Sequence, residues 1–251
     1  MEDLEQLIKL FSKANKEAFN FYKLGNFDAA KLILEQVLKI KKEQKLEKIS
    51  ELASTLKLLG VICYEEREYE KGIEHLSEAI LTKPEDPENY YDIGLCYSKL
   101  GLKNLAASNF NKAIEIEPRN YFYNNLGLYF REIGNLEEAI STFKKSLELI
   151  NSDFPWCMLG GCYTDLKNLK KAEECFLEAL KINPNCAGAH VDLACVYQLR
   201  GEWEKAWPEY EWRFKCYQQN KIWNKIYDPD LKWKGEDIKG KSIIVHSEQG
   251  H

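Results

Sequence analysis

The stretch that decides the fold is residues 87–119, which run PENYYDIGLCYSKLGLKNLAASNFNKAIEIEPR. Apolar and small residues recur there three and four positions apart, which predicts two consecutive amphipathic helices. Gly94 and Ala106 are small and fall one in each predicted helix, so the two helices can approach closely. Gly101 permits the turn between them, and Pro118 ends the second helix.

The same pattern recurs in register along the chain. The tight position of the first helix holds Ala18, Gly60, Gly94, Gly127, Gly160 and Ala194. The small position of the second helix holds Ala30, Gly72, Ala106, Ala139, Ala172 and Ala206. The large residue four positions later is Leu34, Leu76, Phe110, Phe143, Phe176 or Tyr210. These landmarks resemble the tetratricopeptide repeat, a helix–turn–helix unit of about 34 residues.

The resemblance implies an all-α fold, in which helix–turn–helix repeats stack into a right-handed superhelix. The residues after about 220 lack helical periodicity and predict a short irregular C-terminal tail, in which the apolar run at 242–246 predicts one strand. A single unit cannot bury its apolar face, so neighbouring units share one continuous core. Residues 1–218 are predicted to hold six units, at about 11–44, 53–86, 87–119, 120–152, 153–186 and 187–218.

Local signals refine this plan. Asp86 and Asp153 predict helix starts, because an aspartate side chain accepts from the free N–H groups of a first turn. Apolar residues keep helical spacing through 45–52, which predicts that this insertion lengthens the first helix of the second unit. Pro208 has no N–H and predicts a kink in the last helix, near 203–218.

The composition disfavours several classes of function. The chain has 251 residues, a formal net charge of −5 and a pI near 5.6, so we expect no nucleic-acid partner. No apolar run approaches the roughly 18 residues of a membrane span, so we expect no membrane insertion. The acidic, amphipathic start lacks the features of a signal peptide. The eight cysteines form no CxxC motif, and we interpret them as reduced core residues of a cytoplasmic protein.

No motif predicts a catalytic residue, a metal site or a cofactor. The four histidines share no metal-ligand spacing, and the chain contains no glycine-rich phosphate loop and no nucleophile elbow. His190 occupies an aromatic or apolar position of its unit and is predicted to be a packing residue. We therefore expect no enzymatic activity from this chain by itself.

The end of the chain has a resemblance of its own. The segments AWPEYEWRF (206–214) and LKWKGEDIKGKSIIVHSEQG (231–250) are similar to the junction where, in bacterial proteins, such a repeat array leads into a GT-B-type glycosyltransferase domain. The residues that carry this resemblance are Trp207, Glu209, Tyr210, Glu211, Trp212, Arg213, Trp233, Gly235, Gly240, Lys241, Val245, His246, Glu248, Gln249 and Gly250.

This second resemblance implies that residues 241–251 begin a truncated GT-B-like domain, with a first strand at 242–246. Residues 219–240 are expected to form a linker that packs on the last repeat. The chain is then a fragment or a natural truncation, and we favour a fragment because a lone strand leaves unpaired edges. His246 would contribute to a substrate site only in a complete transferase domain.

The remaining candidate site is the concave groove of the array. In the repeat family the inner wall comes from fixed positions of the first helices, and here these are Glu88, Tyr91, Leu95, Ser98, Tyr121, Asn124, Leu128, Arg131, Phe154, Cys157, Gly161 and Thr164. Members that hold a peptide carboxylate use Lys and Asn at two of these positions. The chain does not match that clamp, because it pairs Lys57 with Val61 and Asn15 with Phe19.

Two functions follow as alternatives. The first is a scaffold that binds a protein or peptide partner in the groove, since exposed aromatic residues anchor interfaces well. The second is the substrate-presenting arm of a glycosyltransferase whose catalytic domain is missing from this chain. A plainer interpretation of Tyr91, Tyr121 and Phe154 is that they only cover the groove wall.

Overall fold

The protein is a stack of α-helices. The computed structural model describes residues 2–44 and 50–218. The helices of these residues are α1 (Glu2–Lys23), α2 (Phe27–Glu43), α3 (Ser50–Glu65), α4 (Tyr69–Thr82), α5 (Pro87–Lys99), α6 (Lys103–Ile116), α7 (Asn120–Glu132), α8 (Leu136–Leu149), α9 (Asp153–Asp165), α10 (Leu169–Ile182), α11 (Ala187–Leu199), α12 (Trp203–Tyr210) and α13 (Arg213–Gln218).

Consecutive helices pack in pairs, and the pairs stack in chain order. The pairs are α1 with α2, α3 with α4, α5 with α6, α7 with α8, α9 with α10 and α11 with α12. First helices also contact first helices, since α1 meets α3, α3 meets α5, α7 meets α9 and α9 meets α11. The result is an all-α solenoid, as predicted, and its first helices form one continuous wall.

Each of the four middle pairs closes on a glycine that faces a large side chain. A Cβ added to Gly60 would lie 2.5 Å from the Leu76 side chain, and one added to Gly127 would lie 2.6 Å from the Phe143 ring. Gly94 has the same relation to Phe110, and Gly160 to Phe176. Phe143 and Leu76 are fully buried, so these side chains have no room to retreat. The predicted tight positions are therefore confirmed at all four glycines.

The turn within each pair needs one residue in the left-handed backbone region. Gly25, Gly101, Gly134 and Gly201 take this position with φ of 73° to 79°. In the second and fifth pairs the position is taken by Arg67 at φ 65° and Lys167 at φ 58°. Glycine is the residue that adopts this conformation without steric cost, so Arg67 and Lys167 carry local strain that the packed helices hold in place.

Only one of the two predicted aspartate caps is formed. Asp86 accepts from the backbone N–H of Glu88 at 3.1 Å, and Pro87 occupies the first turn of α5. Asp153 begins α9, but the cap residue is Ser152, and the Asp153 carboxylate instead accepts from Asn183 at 2.8 Å. The prediction of a cap at Asp153 is therefore wrong, because the carboxylate is engaged by the turn that follows α10.

The cysteines whose side chains are described are free thiols. Cys63, Cys96 and Cys162 are buried between helices, as their positions in the repeat predicted. Burial raises the pKa of all three, and it raises that of Cys96 to about 12. These thiols are core residues of low reactivity, because the thiolate is the reactive form.

The array ends in a broken helix. The single kinked helix predicted for 203–218 is two helices, since α12 stops at Tyr210 and α13 starts at Arg213. Pro208 lies inside α12 and cannot donate a hydrogen bond to the turn before it. The chain turns at 211–212, and α13 packs against α11. The regular array thus ends at Tyr210, two residues after Pro208, and the chain returns to α11, the first helix of the sixth pair.

Several predicted features lie outside the described residues. These are residues 45–49 of the insertion, the linker 219–240, the strand 242–246 and the transferase-like start 241–251. Of the predicted longer helix in the second unit, the structure describes α3 from Ser50 onward. At the N-terminus, α1 runs without a break from Glu2 to Lys23 and so begins well before the first repeat, which is predicted to start near residue 11.

Candidate functional site

The predicted groove residues lie on the first helices of three neighbouring pairs. Glu88, Tyr91, Leu95 and Ser98 are on α5, Tyr121, Asn124, Leu128 and Arg131 are on α7, and Phe154, Cys157, Gly161 and Thr164 are on α9. The wall that these helices form therefore holds all of them. Their side chains, however, have different roles in that wall.

The most connected group joins α5 to α7. The Tyr121 hydroxyl and the Arg119 guanidinium both donate to the Glu88 carboxylate, and Arg119 also donates to the Tyr121 hydroxyl at 2.9 Å. Burial raises the pKa of Tyr121, and the bond to Glu88 raises it further. Glu88 and Tyr121 are therefore used to hold two repeats together.

Tyr91 lies beside this group and is packed rather than free. Its ring meets the Tyr121 ring edge-on with centroids 5.1 Å apart and lies 5.0 Å from the Phe122 ring. Asn125 donates to the Tyr91 hydroxyl at 3.0 Å. Burial is the main cause that raises the pKa of Tyr91. This geometry supports the plainer interpretation of Tyr91 and Tyr121 as groove-wall residues.

A second bridge joins α7 to α9. Arg131 Nε donates to an Asp165 carboxylate oxygen at 2.9 Å, and the guanidinium lies over Gly161. A Cβ on Gly161 would come within 2.8 Å of that guanidinium, so the glycine provides space for the cation. The one cation of the predicted lining is thus paired with a carboxylate. It is a weak candidate for binding an external anion.

Of the remaining predicted residues, some are hydrogen-bonded or buried, and the others are exposed. Asn124 accepts from Ser146 at 2.7 Å, and Thr164 donates to its own helix at Gly160. Cys157 is buried at 7% exposure. Leu95 is partly buried in the core cluster around Ala106 and Phe110, and Ser98 is exposed. Two exposed apolar side chains remain on this part of the wall, Leu128 at 37% and Phe154 at 40%.

A larger concave site lies between the first two pairs, outside the predicted set. It is a cavity of about 780 Å³ lined by Ser12, Asn15, Lys16, Phe19, Tyr22, Glu51, Ser54, Lys57, Leu58, Val61, Lys83 and Asp86. Most of these residues belong to α1 and α3, which contact each other along the same wall. The sequence contains an indication of this cavity. Phe19 and Val61 stand where the peptide-carboxylate clamp would need polar residues, and they make this part of the wall apolar.

The apolar floor of this cavity is Phe19, Tyr22, Leu58 and Val61. Phe19 is 43% exposed, its ring stacks on that of Tyr22 with centroids 6.1 Å apart, and Lys23 lies 4.5 Å above it. Asn15 faces inward, because it donates to the Glu51 carbonyl at 2.9 Å and accepts from Thr55 at 2.8 Å.

The lining also contains three lysines, Lys16, Lys57 and Lys83, and two carboxylates, Glu51 and Asp86. Lys57 pairs with Asp86 at 3.2 Å, the same carboxylate that caps α5. Lys16 and Lys83 are exposed, and within the described part of the chain neither forms an ion pair. An apolar floor with two exposed ammonium groups at its edge suits a ligand that combines apolar side chains with carboxylates.

One half-buried carboxyl, that of Asp92 on α5, interacts electrostatically with Lys57 of this cavity and with Glu88 of the cluster around Tyr121. Burial raises the pKa of Asp92 on α5 to about 7, Lys57 opposes the shift, and Glu88 and Asp86 add to it. A charge in a poorly solvated place costs free energy unless it is paired. Asp92 is thus a carboxyl whose ionisation opposes folding near neutral pH.

The first segment of the predicted junction motif, residues 206–214, lies in the described part of the chain and makes contacts at the end of the array. His190 Nδ1 is hydrogen-bonded to the Glu209 carboxyl group, and His190 Nε2 lies 3.0 Å from the Pro184 carbonyl oxygen. Arg213 donates to the Tyr210 carbonyl at 3.1 Å and lies over the Phe214 ring at 3.9 Å. Among the other motif residues, Trp207 is 55% exposed, and Glu211 pairs with Arg213. Trp233, His246, Glu248, Gln249 and Gly250 lie outside the described residues.

The described residues contain neither a candidate metal cluster nor a candidate membrane-spanning helix. Across residues 2–44 and 50–218, no group of three His, Cys, Asp or Glu side chains is arranged to hold a metal ion. Within the same residues, no helix is both long enough and apolar enough to cross a bilayer.

Known proteins identify the repeat. Family models described as tetratricopeptide repeat match residues 18–44, 87–120 and 121–153, and another matches residues 155–186. Together these segments make up half of the chain. The chain belongs to the tetratricopeptide-repeat family. A curated relative, Hsp70-Hsp90 organizing protein 3 of Arabidopsis thaliana, is 29% identical to this repeat protein over 119 residues, which are 47% of the chain. That alignment spans 20% of the relative's length.

Solved structures share the fold of this tetratricopeptide-repeat chain at low identity. PilF of Pseudomonas aeruginosa is similar with a TM-score of 0.71 and 16% identity over 88% of this chain and 97% of its own. MamA of Desulfovibrio magneticus has a TM-score of 0.60 and 18% identity over 67% and 97%. YrrB, described as a TPR protein with an unusual peptide-binding site, has a TM-score of 0.56 and 18% identity over 74% and 93%. These matches are to a repeat fold and to no catalytic family.

Proposed function

We propose that this protein is an interaction scaffold that binds a segment of a partner protein on the inner wall of its array. The observation that carries the proposal is the cavity of about 780 Å³ between α1 and α3, with exposed Phe19 on its floor. An exposed aromatic ring inside a concave site is the kind of residue that anchors a protein interface. YrrB, whose fold is similar, is described as having a peptide-binding site, which is consistent with this use.

The chemistry of the cavity favours a particular kind of segment. Phe19, Leu58 and Val61 offer apolar contact, and Lys16 and Lys83 offer charge at the edge. A short extended or helical segment with one or two large apolar residues and nearby Asp or Glu fits both features. The charge pairs would lie at the rim, so they would add more to association rate and selectivity than to affinity.

The predicted residues further along the wall extend the proposed groove. Leu128 and Phe154 are exposed on α7 and α9, and they would contact a partner segment longer than the first cavity. Glu88, Tyr91, Tyr121 and Arg131 are engaged with other residues of the array, so in this proposal they shape the wall between the two apolar areas. The glycosyltransferase-arm alternative stays a prediction, because much of its motif lies outside the described residues.

The test begins with peptides selected from a random display library on the immobilised full chain. Binding of a selected, fluorescently labelled peptide is then measured by anisotropy for the wild type and for Phe19→Ala/Val61→Ala. Loss of an anchor residue weakens the free energy of binding by at least about 1.4 kcal/mol, so we expect the affinity to fall tenfold or more.

The matched control is Leu81→Ala on α4, because Leu81 is exposed but lies on a second helix. Circular dichroism of all three proteins checks that each is folded. Equal affinity in the wild type and in Phe19→Ala/Val61→Ala would remove the first cavity as the binding site. A loss confined to Leu81→Ala would move the site to the outer surface.

A further inference from the structure

Two cysteines that are distant in sequence lie in contact between the fifth and sixth pairs. The sulfurs of Cys157 and Cys186 are 3.9 Å apart, with 29 residues of sequence separation. Cys157 is on α9, and Cys186 is the residue immediately before α11. In the described part of the chain, no other pair of thiols makes such a contact. The spacing of the cysteines in sequence gave no indication of this pair.

The two thiols differ in accessibility. Cys157 is buried in a small core cluster with Ala179 and Ala189, whereas Cys186 packs at the edge of that cluster and is partly exposed. Burial is the main cause that raises the pKa of Cys157, and the neighbouring Cys186 adds to it. A dissolved oxidant therefore reaches Cys186 first, and Cys157 is placed behind it.

We propose that Cys157 and Cys186 form an oxidisable dithiol that closes into a disulfide bond between the fifth and sixth repeats. A disulfide needs the sulfurs about 2.05 Å apart, so they must approach by about 1.9 Å. Cys186 lies in the turn that leads into α11 and can supply this movement by side-chain rotation. The buried wall of α9 can stay in place.

The chemistry balances with a hydroperoxide as the oxidant. The Cys186 sulfur attacks a peroxide oxygen, an S–O bond forms, and the O–O bond breaks to release hydroxide, which takes up a proton. The Cys157 sulfur then attacks the sulfenic sulfur of Cys186, the S–S bond forms, and the S–O bond breaks to release water with the Cys157 proton. Two thiols are oxidised by two electrons, and hydrogen peroxide is reduced to two waters.

The consequence is mechanical. The bond would join the inner helix of one repeat to the start of the inner helix of the next, α9 to α11. These helices already contact each other, so the link would fix their spacing rather than rearrange the array. A cross-link that closes a loop of this length restricts the unfolded chain, and so it should raise the resistance of the last two repeats to unfolding.

The test treats the full chain with hydrogen peroxide and maps its tryptic peptides without reduction. We expect a linked pair of peptides containing Cys157 and Cys186 that disappears on treatment with dithiothreitol. The melting temperature should rise by about 5–10 °C on oxidation and fall back on reduction. In Cys157→Ala, the exposed partner is left without its second thiol, so dimedone should label the Cys186 sulfenic acid much more strongly than in the wild type.

The matched control is Cys195→Ser, because Cys195 is exposed on α11 but has no sulfur contact of this kind. This variant should keep both the linked peptides and the rise in melting temperature. The proposal is overturned if no linked pair forms while Cys186 is oxidised. It is equally overturned if dimedone labels Cys186 to the same extent with and without Cys157.

Discussion

The His190 ring stacks on the Trp212 ring, with centroids 3.8 Å apart and planes inclined by 11°. His190 belongs to α11, and Trp212 lies in the turn that follows α12. The same histidine bonds to Glu209 and to the Pro184 carbonyl. His190, predicted from its position in the repeat to be a packing residue, is half-buried and packs on the residues that follow α12.

Removing this stack should loosen the end of the array. Trp212→Ala deletes the contact with His190 and the contact with Lys215, whose ammonium lies 3.5 Å from the ring centroid. We expect a loss of about 1–2 kcal/mol in the unfolding free energy of the last pair. Hydrogen exchange should become faster in α11 and α13.

Trp207→Ala is the control, since Trp207 is largely exposed and its loss should cost at most about 0.5 kcal/mol. Similar exchange rates in Trp212→Ala and the wild type would mean that α13 is held by other contacts.

Replacing a tight-position glycine with alanine should destabilise the protein, because the two helices of a pair are closest there. Gly127→Ala would place its Cβ 2.6 Å from the buried Phe143 ring, so we expect the protein to lose about 1–3 kcal/mol of stability. Gly188→Ala makes the same chemical change in α11, where the added Cβ meets nothing within 4 Å. That variant should gain stability, by up to about 1 kcal/mol, from helix propensity alone.

Thermal or urea unfolding measures both glycine variants. The result that tests the close contact is a loss of stability in Gly127→Ala together with a gain in Gly188→Ala. If Gly127→Ala were as stable as the wild type, the helices of the fourth pair would not be in the close contact described.

The stability of the protein should depend on pH through Asp92. Its pKa is about 7 in the folded protein and about 4 in an unfolded chain, so the folded state binds more protons between these values. Stability therefore falls as the pH rises from about 4 to about 7. Asp92→Asn removes this titration and should be more stable than the wild type at pH 8, by about 2–4 kcal/mol, since one pKa unit is worth about 1.4 kcal/mol.

The same variant provides its own control at low pH. Near pH 4 the wild-type carboxyl is protonated and resembles the amide, so the two proteins should have nearly equal stability. Urea unfolding at a series of pH values measures the difference. A constant difference across pH 4–8 would show that Asp92 does not titrate in this range.

The repeat itself was predictable because its landmarks are local in character. Gly94, Gly101 and Phe110 have types and spacings that follow from helix geometry and turn conformation alone. The caps and breaks were less predictable, since Asp153 could serve either as a cap or as a partner of Asn183, and only the folded turn decides between them. A proline at 208 predicts a disturbance, but the return of α13 to α11 depends on side chains that meet only after folding.

The site was less predictable, because its residues meet across repeats. Glu88 meets Tyr121 over 33 residues, and Arg131 meets Asp165 over 34, each close to one repeat length. In these two cases, polar residues one repeat apart on the inner wall pair with each other. The first cavity cannot be read from single positions either, since Phe19 and Val61 only fail to match a polar clamp in the sequence and become a shared apolar lining when α1 packs against α3.

The most direct test of the proposed inner-wall function places a photo-crosslinking residue, benzoylphenylalanine, at Phe19 or at Leu81 in the full chain. After irradiation in a cell extract, adducts are isolated, and the partner peptide is mapped by mass spectrometry. We predict adducts from position 19 that join a segment with a large apolar residue near Asp or Glu, and little adduct from position 81. No adduct from position 19, or equal yields from both positions, would contradict binding in the concave cavity.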